Sequence, residues 1–146
     1  MIVLDTNVLS EMMRREPERR VVEWFRQMPA ASLYTTTITR AEMLFGVGLL
    51  PDGKRKWALA SAVEALFAVD LGGRILPFDL AASDCFAPVA CRSRAQGLPM
   101  SDADARIAAI ASSRGGQIAT RNVADFAECG VPLVNPWEFR IRHRRR

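Results

Sequence analysis

Four acidic residues in this chain stand where an apolar segment meets a polar lip. Met1-Ile2-Val3-Leu4-Asp5-Thr6-Asn7 is a short apolar run stopped by a carboxylate, and Thr39-Arg40-Ala41-Glu42 opens an apolar helical pattern. Ser101-Asp102-Ala103-Asp104 precedes Ile107-Ala108-Ala109-Ile110, and Asn122-Val123-Ala124-Asp125 follows the apolar run Gln117-Ile118-Ala119-Thr120. A wholly apolar run reads as a buried parallel strand, and open α/β sheets gather ligand sites at the carboxyl ends of such strands. Asp5 is therefore expected at that edge, with Glu42, Asp104 and Asp125 facing the same cleft from element starts. Carboxylates gathered in one place call for a divalent cation, and a set of hard oxygen donors favours Mg²⁺ or Mn²⁺ over zinc or copper.

Composition narrows the chemistry further. The single histidine, His143, lies in the C-terminal arginine run. The body of the chain therefore has no histidine for a Ser-His-Asp or Cys-His nucleophile or for a His-rich zinc site. Cys85, Cys91 and Cys129 are odd in number and lack Cys-x-x-Cys spacing, which reads as reduced thiols rather than a disulfide framework or a zinc ribbon. The formal charge is +4, yet residues 139–146 carry five arginines and no acid, so the remainder is close to neutral. Its local basic clusters, Arg14-Arg15, Arg19-Arg20 and Lys54-Arg55-Lys56, read as solvated surface or as phosphate contacts.

Each acid also has a purely structural reading. Thr39-x-x-Glu42, Ser101-x-x-Asp104 and Asn122-x-x-Asp125 fit capping boxes, and Thr6 or Asn7 fits the cap of a helix after Asp5. Asp5 follows a buried strand and has no such role by pattern. The two readings are compatible, because helix N-terminal amides keep a carboxylate oriented and ionised. Asp102 and Asp104, two apart on a helix, do not share a face. Asp104 has the spacing to Ile107 and Ala108 that points inward; Asp102 is expected to face solvent or to support the site. Thr6, Asn7, Thr120 and Asn122 are polar groups at the same lip, suited to positioning a water or phosphate oxygen or to plain caps and turns. Phe45, Trp57 and Phe67 read as core or dimer surface rather than base-stacking platforms.

The elements that must position these residues follow from periodicity and breakers. Strands are expected over 2–5, 32–36, 74–78, 117–120 and 132–134. Helices are expected over 7–13, 17–28, 38–50, 54–69, 80–96, 101–114 and 124–128, with Gly72-Gly73 ending the fourth. Strands alternating with helices predict a parallel sheet covered on both faces. A chain of 146 residues, nearly half hydrophobic, fits one domain over 1–138 followed by a basic tail over 139–146. No basic segment leads into an apolar stretch at the N-terminus, and Glu64 interrupts the richest apolar run, so a cytoplasmic protein without membrane association is expected.

Taken in order, Leu4-Asp5-Thr6-Asn7, Ile38-Thr39-x-Ala41-Glu42-x-x-x-Gly46, Asp104-x-x-Ile107-Ala108-Ala109 and Thr120-Arg121-Asn122-x-x-Asp125-Phe126 carry a family resemblance. Over residues 2 to about 137 the chain resembles the PIN-domain ribonuclease toxins of bacterial VapBC and FitAB toxin–antitoxin pairs. Asn135-Pro136-Trp137 and Gly73-Arg74-Ile75-Leu76-Pro77-Phe78 favour the FitB-like branch. The resemblance implies a three-layer α/β/α fold with a mostly parallel sheet and a Mg²⁺- or Mn²⁺-dependent endoribonuclease acting on RNA. It also implies a homodimer and a cognate DNA-binding antitoxin, with operator DNA reached only through the antitoxin complex. Carried over residue by residue, Asp5, Glu42 and Asp104 fall on the family's metal-site acids and Asp125 on its less uniform fourth. Some FitB-like members have an acid where this chain has Asn122, and Thr6 and Thr120 match polar residues around the metal.

Two rival readings remain at this point. A non-catalytic PIN scaffold would use the acidic cleft only to bind an antitoxin or a structural cation. A haloacid-dehalogenase-type phosphatase also begins with an apolar strand ending in Asp, but it needs Asp-x-Asp, and Asn7 occupies the second position. The arginine tail reads either as solvated chain or as a contact to RNA or to operator DNA within an antitoxin complex.

Overall fold

A computed structural model describes residues 1–142; His143 and Arg144 to Arg146, and with them half of the expected basic tail, lie outside the described residues. Five strands form one wholly parallel sheet in the order β3-β2-β1-β4-β5. They are β1 (Ile2–Leu4), β2 (Leu33–Thr36), β3 (Ile75–Leu76), β4 (Gln117–Ala119) and β5 (Leu133–Val134). The helices are α1 (Thr6–Met12), α2 (Arg19–Gln27), α3 (Thr37–Gly48), α4 (Lys54–Ala65), α5 (Leu80–Ala95) and α6 (Asp102–Ser113).

The central strand is buried on both sides because its side chains alternate between two cores. Ile2 and Leu4 join Val8, Leu9, Trp24, Val47, Val63 and Phe67 under α1 to α4. Val3 joins Val89, Ile107, Ala108, Ile110 and Ile118 under α5 and α6. This is the three-layer arrangement. Ala108, Ala109 and Ala111 are completely buried, and their small side chains let α6 approach the sheet and α5 closely.

The chain runs from β1 outward through β2 and β3, then returns to β4 on the other side of β1. The topological switch of the sheet therefore lies between the carboxyl ends of β1 and β4, where a crevice opens. Asp5 and Thr120 are the first residues beyond those two ends.

Three elements differ from the pattern. The expected helix over 54–69 is α-helical only to Ala65 and continues as a π-helical turn, Leu66–Asp70, closed by Leu71 N donating to Leu66 O at 2.9 Å. The wider turn keeps Phe67 and Leu71 both buried while Val69 turns outward. Gly72 is required there, since a Cβ would stand 2.7 Å from Ala68 O. The expected strand over 74–78 shortens to Ile75–Leu76: Pro77 has no amide to extend the ladder. The short helix expected over 124–128 is a single 3₁₀ turn, Val123–Phe126. Among the described residues no helix is long and apolar enough to cross a membrane.

Candidate active site

Asp5 is built into the switch point by three donors. Its backbone N donates to Ala119 O at 3.0 Å, extending the β1–β4 ladder by one bond. Its side chain is buried, 5% exposed. Oδ1 accepts from Thr6 N at 2.8 Å, and Oδ2 accepts from the Thr120 hydroxyl at 2.8 Å and from Asn7 Nδ2 at 3.1 Å. Asp5 is thus itself the N-cap of α1, the role that the pattern gave to Thr6 or Asn7. A carboxylate oxygen has about two acceptor positions, so Oδ1 keeps one free for a cation.

The other acids arrive from three directions. α3 starts three residues earlier than its Thr39-x-x-Glu42 pattern implies, with Thr36 as N-cap accepting from Thr39 N at 3.1 Å. Glu42 therefore lies in the second turn, and the capping-box reading of it is wrong. Thr6 Oγ1 lies 3.2 Å from both Glu42 Oε2 and Thr39 Oγ1. Its one proton favours the carboxylate, the stronger acceptor, leaving the Thr39 hydroxyl to donate to Thr6. Ser101 caps α6 as expected, accepting from Asp104 N at 3.1 Å. Asp125 lies on the 3₁₀ turn Val123–Phe126, whose N-cap Asn122 makes no side-chain cap, so that box is also absent; Asp125 N instead donates to Asn122 O at 3.0 Å. Asn122 enters the site through its amide, which donates to Thr120 Oγ1 at 3.0 Å. Thr39, buried and one helical turn before Glu42, meets Thr6 at the site rather than serving as the cap that the pattern made it.

Electrostatics ties the four acids together. Burial, together with the nearby Asp125 charge, pushes the Asp5 carboxyl above its ordinary range, more than Thr120, Thr6 and Asn7 bring it down. Glu42 is raised by burial and by the charges of Asp5 and Asp104, against the Thr6 hydrogen bond. Asp104 is raised by burial and by Asp5 and Asp125, against a hydrogen bond from Ser101. The acids feel one another, yet among the described residues no three of them stand at metal-ligand spacing. Hard divalent cations are bound by oxygen ligands such as carboxylates and water. The all-oxygen donor chemistry fits such an ion.

Asp102 stands apart. Its side chain is 67% exposed and pairs with Arg106 at 2.9 Å, one turn along α6. An exposed i,i+4 pair is worth about 0.3–0.5 kcal/mol, so Asp102→Asn should move the melting temperature by no more than about 1–2 °C. A large loss of activity in that variant, with Asp104→Asn spared, would show that the wrong acid has been placed in the site.

The chain is similar in sequence and fold to known proteins. The model of the PIN domain family matches residues 2–130. The chain is 41% identical over 138 residues to "VapC ribonuclease Y4jK" of Sinorhizobium fredii, covering 94% of this chain and 99% of that protein. It is 38% identical over 137 residues to "Toxin FitB" of Neisseria gonorrhoeae, again covering 94% and 99%. Among solved structures, a chain in FitAB bound to an IR36 DNA fragment superposes with a TM-score of 0.90 at 38% identity, over 98% of this chain and 100% of that one. With the family model spanning most of the chain and the acids lying at the switch point of the sheet, this protein belongs to the PIN-domain family.

Proposed function

We propose that this protein is a metal-dependent endoribonuclease, the toxin of a toxin–antitoxin pair, that hydrolyses RNA phosphodiester bonds at the site of Asp5, Glu42, Asp104 and Asp125. The observation that carries the reading is the convergence of these acids, three with raised pKa, at the switch point of the sheet. The names of the relatives, VapC ribonuclease and toxin FitB, support the same activity.

Asp5, Glu42, Asp104 and Asp125 would hold Mg²⁺ or Mn²⁺, which supplies a water of lowered pKa and neutralises charge on the scissile phosphate. The remaining work is done by the chain. Thr120, Asn7 and the Thr6 amide fix Asp5 Oδ2 and Oδ1, the Thr6 hydroxyl orients Glu42, and Ser101 holds the start of α6 beneath Asp104. Purified protein should convert a structured RNA pool into discrete fragments in Mg²⁺ or Mn²⁺. RNA that is bound but left intact would favour the non-catalytic scaffold instead.

Solved relatives include FitAB and VapBC complexes with DNA. On that likeness the partner is a cognate DNA-binding antitoxin in the cytoplasm, and operator DNA is reached through the complex. The exposed Leu44 and Phe45 of α3, Leu49 at its C-cap and Trp57 of α4 form an apolar surface suited to a homodimer. Light scattering at micromolar concentration should give twice the chain mass of 16.2 kDa, and a monomer would remove this interface.

A further inference from the structure

Glu11 is a buried acid that the site does not use. It lies in α1, 6% exposed. Its carboxylate accepts from Glu18 N at 2.9 Å and from Arg14 Nη1 at 3.3 Å on each oxygen. Burial opposes its charge, but the Glu18 amide, Arg14 and the more distant charge of Arg121 outweigh that and keep the carboxyl below its ordinary range. Glu11 is thus under the influence of two arginines. Arg14 lines a cavity of about 740 Å³ that also includes Thr6 and Glu42. Arg121 directly follows Thr120, and its amide donates to Asn7 Oδ1 at 3.1 Å.

Both guanidinium groups are held before any ligand binds. Arg121 Cζ lies 5.3 Å from the ring centroid of Trp137, and Arg20 Nη1 donates to Trp137 O at 3.3 Å. Arg40 and Arg106 also stack on aromatic rings, on Phe67 and Phe78. Arg14 and Arg121 differ in bordering the acid site while remaining exposed. A polyanion entering a cleft of four carboxylates is repelled unless cations hold its backbone, and an arginine already fixed in place loses less rotamer freedom on binding.

We propose that Arg14 and Arg121 form a pre-oriented basic arc that grips the phosphates of single-stranded RNA beside the acid site, with Glu11 and Trp137 as its positioning residues. The proposal rests on the nuclease reading above. Full-length Asp104→Asn protein serves as the non-cutting parent, and binding of a short fluorescent single-stranded RNA is followed against salt. Arg14→Gln and Arg121→Gln should each weaken binding several-fold and flatten the slope of log K against log salt by about 0.7, the pair together by about 1.4. Arg121→Lys, which keeps the charge, should retain the slope. An arginine with only a structural role would lower the melting temperature and leave the slope unchanged. Unchanged slopes with a wild-type protein that cuts RNA overturn the arc alone. A parent that binds no RNA and a wild type that cuts none overturn the nuclease reading as well. Losses confined to duplex DNA would assign the arc to operator contact and overturn the RNA proposal.

Discussion

Asp104→Asn and Asp5→Asn are expected to abolish RNA cleavage, each by on the order of 10³-fold, the upper range for removing one electrostatic group from a preorganised site. Asp104→Asn should at the same time raise the melting temperature of the protein in EDTA. The sign follows from linkage. Asp5, Glu42 and Asp104 have folded-state pKa values above the ordinary 3.8 for Asp and 4.5 for Glu. Between the ordinary and the raised values the folded chain binds more protons than the unfolded one, so metal-free stability falls as pH rises through that window. At neutral pH the cost of burying the ionised Asp104, together with repulsion from Asp5 and Asp125, is fully present, and an amide in place of Asp104 relieves both. Asp5→Asn gains less, because an amide NH₂ in place of Oδ2 cannot accept from both Thr120 and Asn7. Single-turnover cleavage rates and thermal melts in EDTA at acid and neutral pH measure both effects. Melting temperatures of Asp104→Asn that lie below wild type at neutral pH would remove the repulsion argument.

Adding Mg²⁺ or Mn²⁺ is the second large effect expected. Ligand at about 100 times its Kd stabilises a fold by about 2.7 kcal/mol, which for a chain of this size corresponds to roughly 5–10 °C in melting temperature. Wild-type protein should show this rise at neutral pH and progressively less toward acid pH, where protons compete for the raised carboxyls. Asp104→Asn should lose most of it. A rise of equal size in Asp104→Asn would place the bound cation elsewhere.

The positions of the acids were more legible in the sequence than the exact elements. Asp5, Glu42, Asp104 and Asp125 stand out in the sequence because each is a charge beside an apolar segment, and the fold places Asp5 just beyond β1, Glu42 in the second turn of α3, Asp104 in the first turn of α6 and Asp125 on a 3₁₀ turn. The cap of α3 was not readable: Thr36, Thr37 and Thr39 are all suitable, and the choice is made by the sheet, where Thr36 still pairs with Leu76 and ends β2. The π-helical turn after α4 was hidden because Val63, Phe67 and Leu71 keep ordinary helical spacing through it. Glu11 gave no signal at all, since its partners, the Glu18 amide and the arginines around it, come together only in the folded chain. The capping boxes at Ser101 and Thr39 illustrate the limit: identical local logic holds at the first, where Ser101 does cap α6, and fails at the second.

The central claim is that the four-acid site cleaves RNA through a divalent cation, and chelation followed by add-back tests it most directly. Wild-type protein stripped with EDTA should leave RNA intact, and excess Mg²⁺ or Mn²⁺ should restore cleavage to the original products, while Asp104→Asn stays silent throughout. Cleavage that continues at an unchanged rate in EDTA would contradict the account.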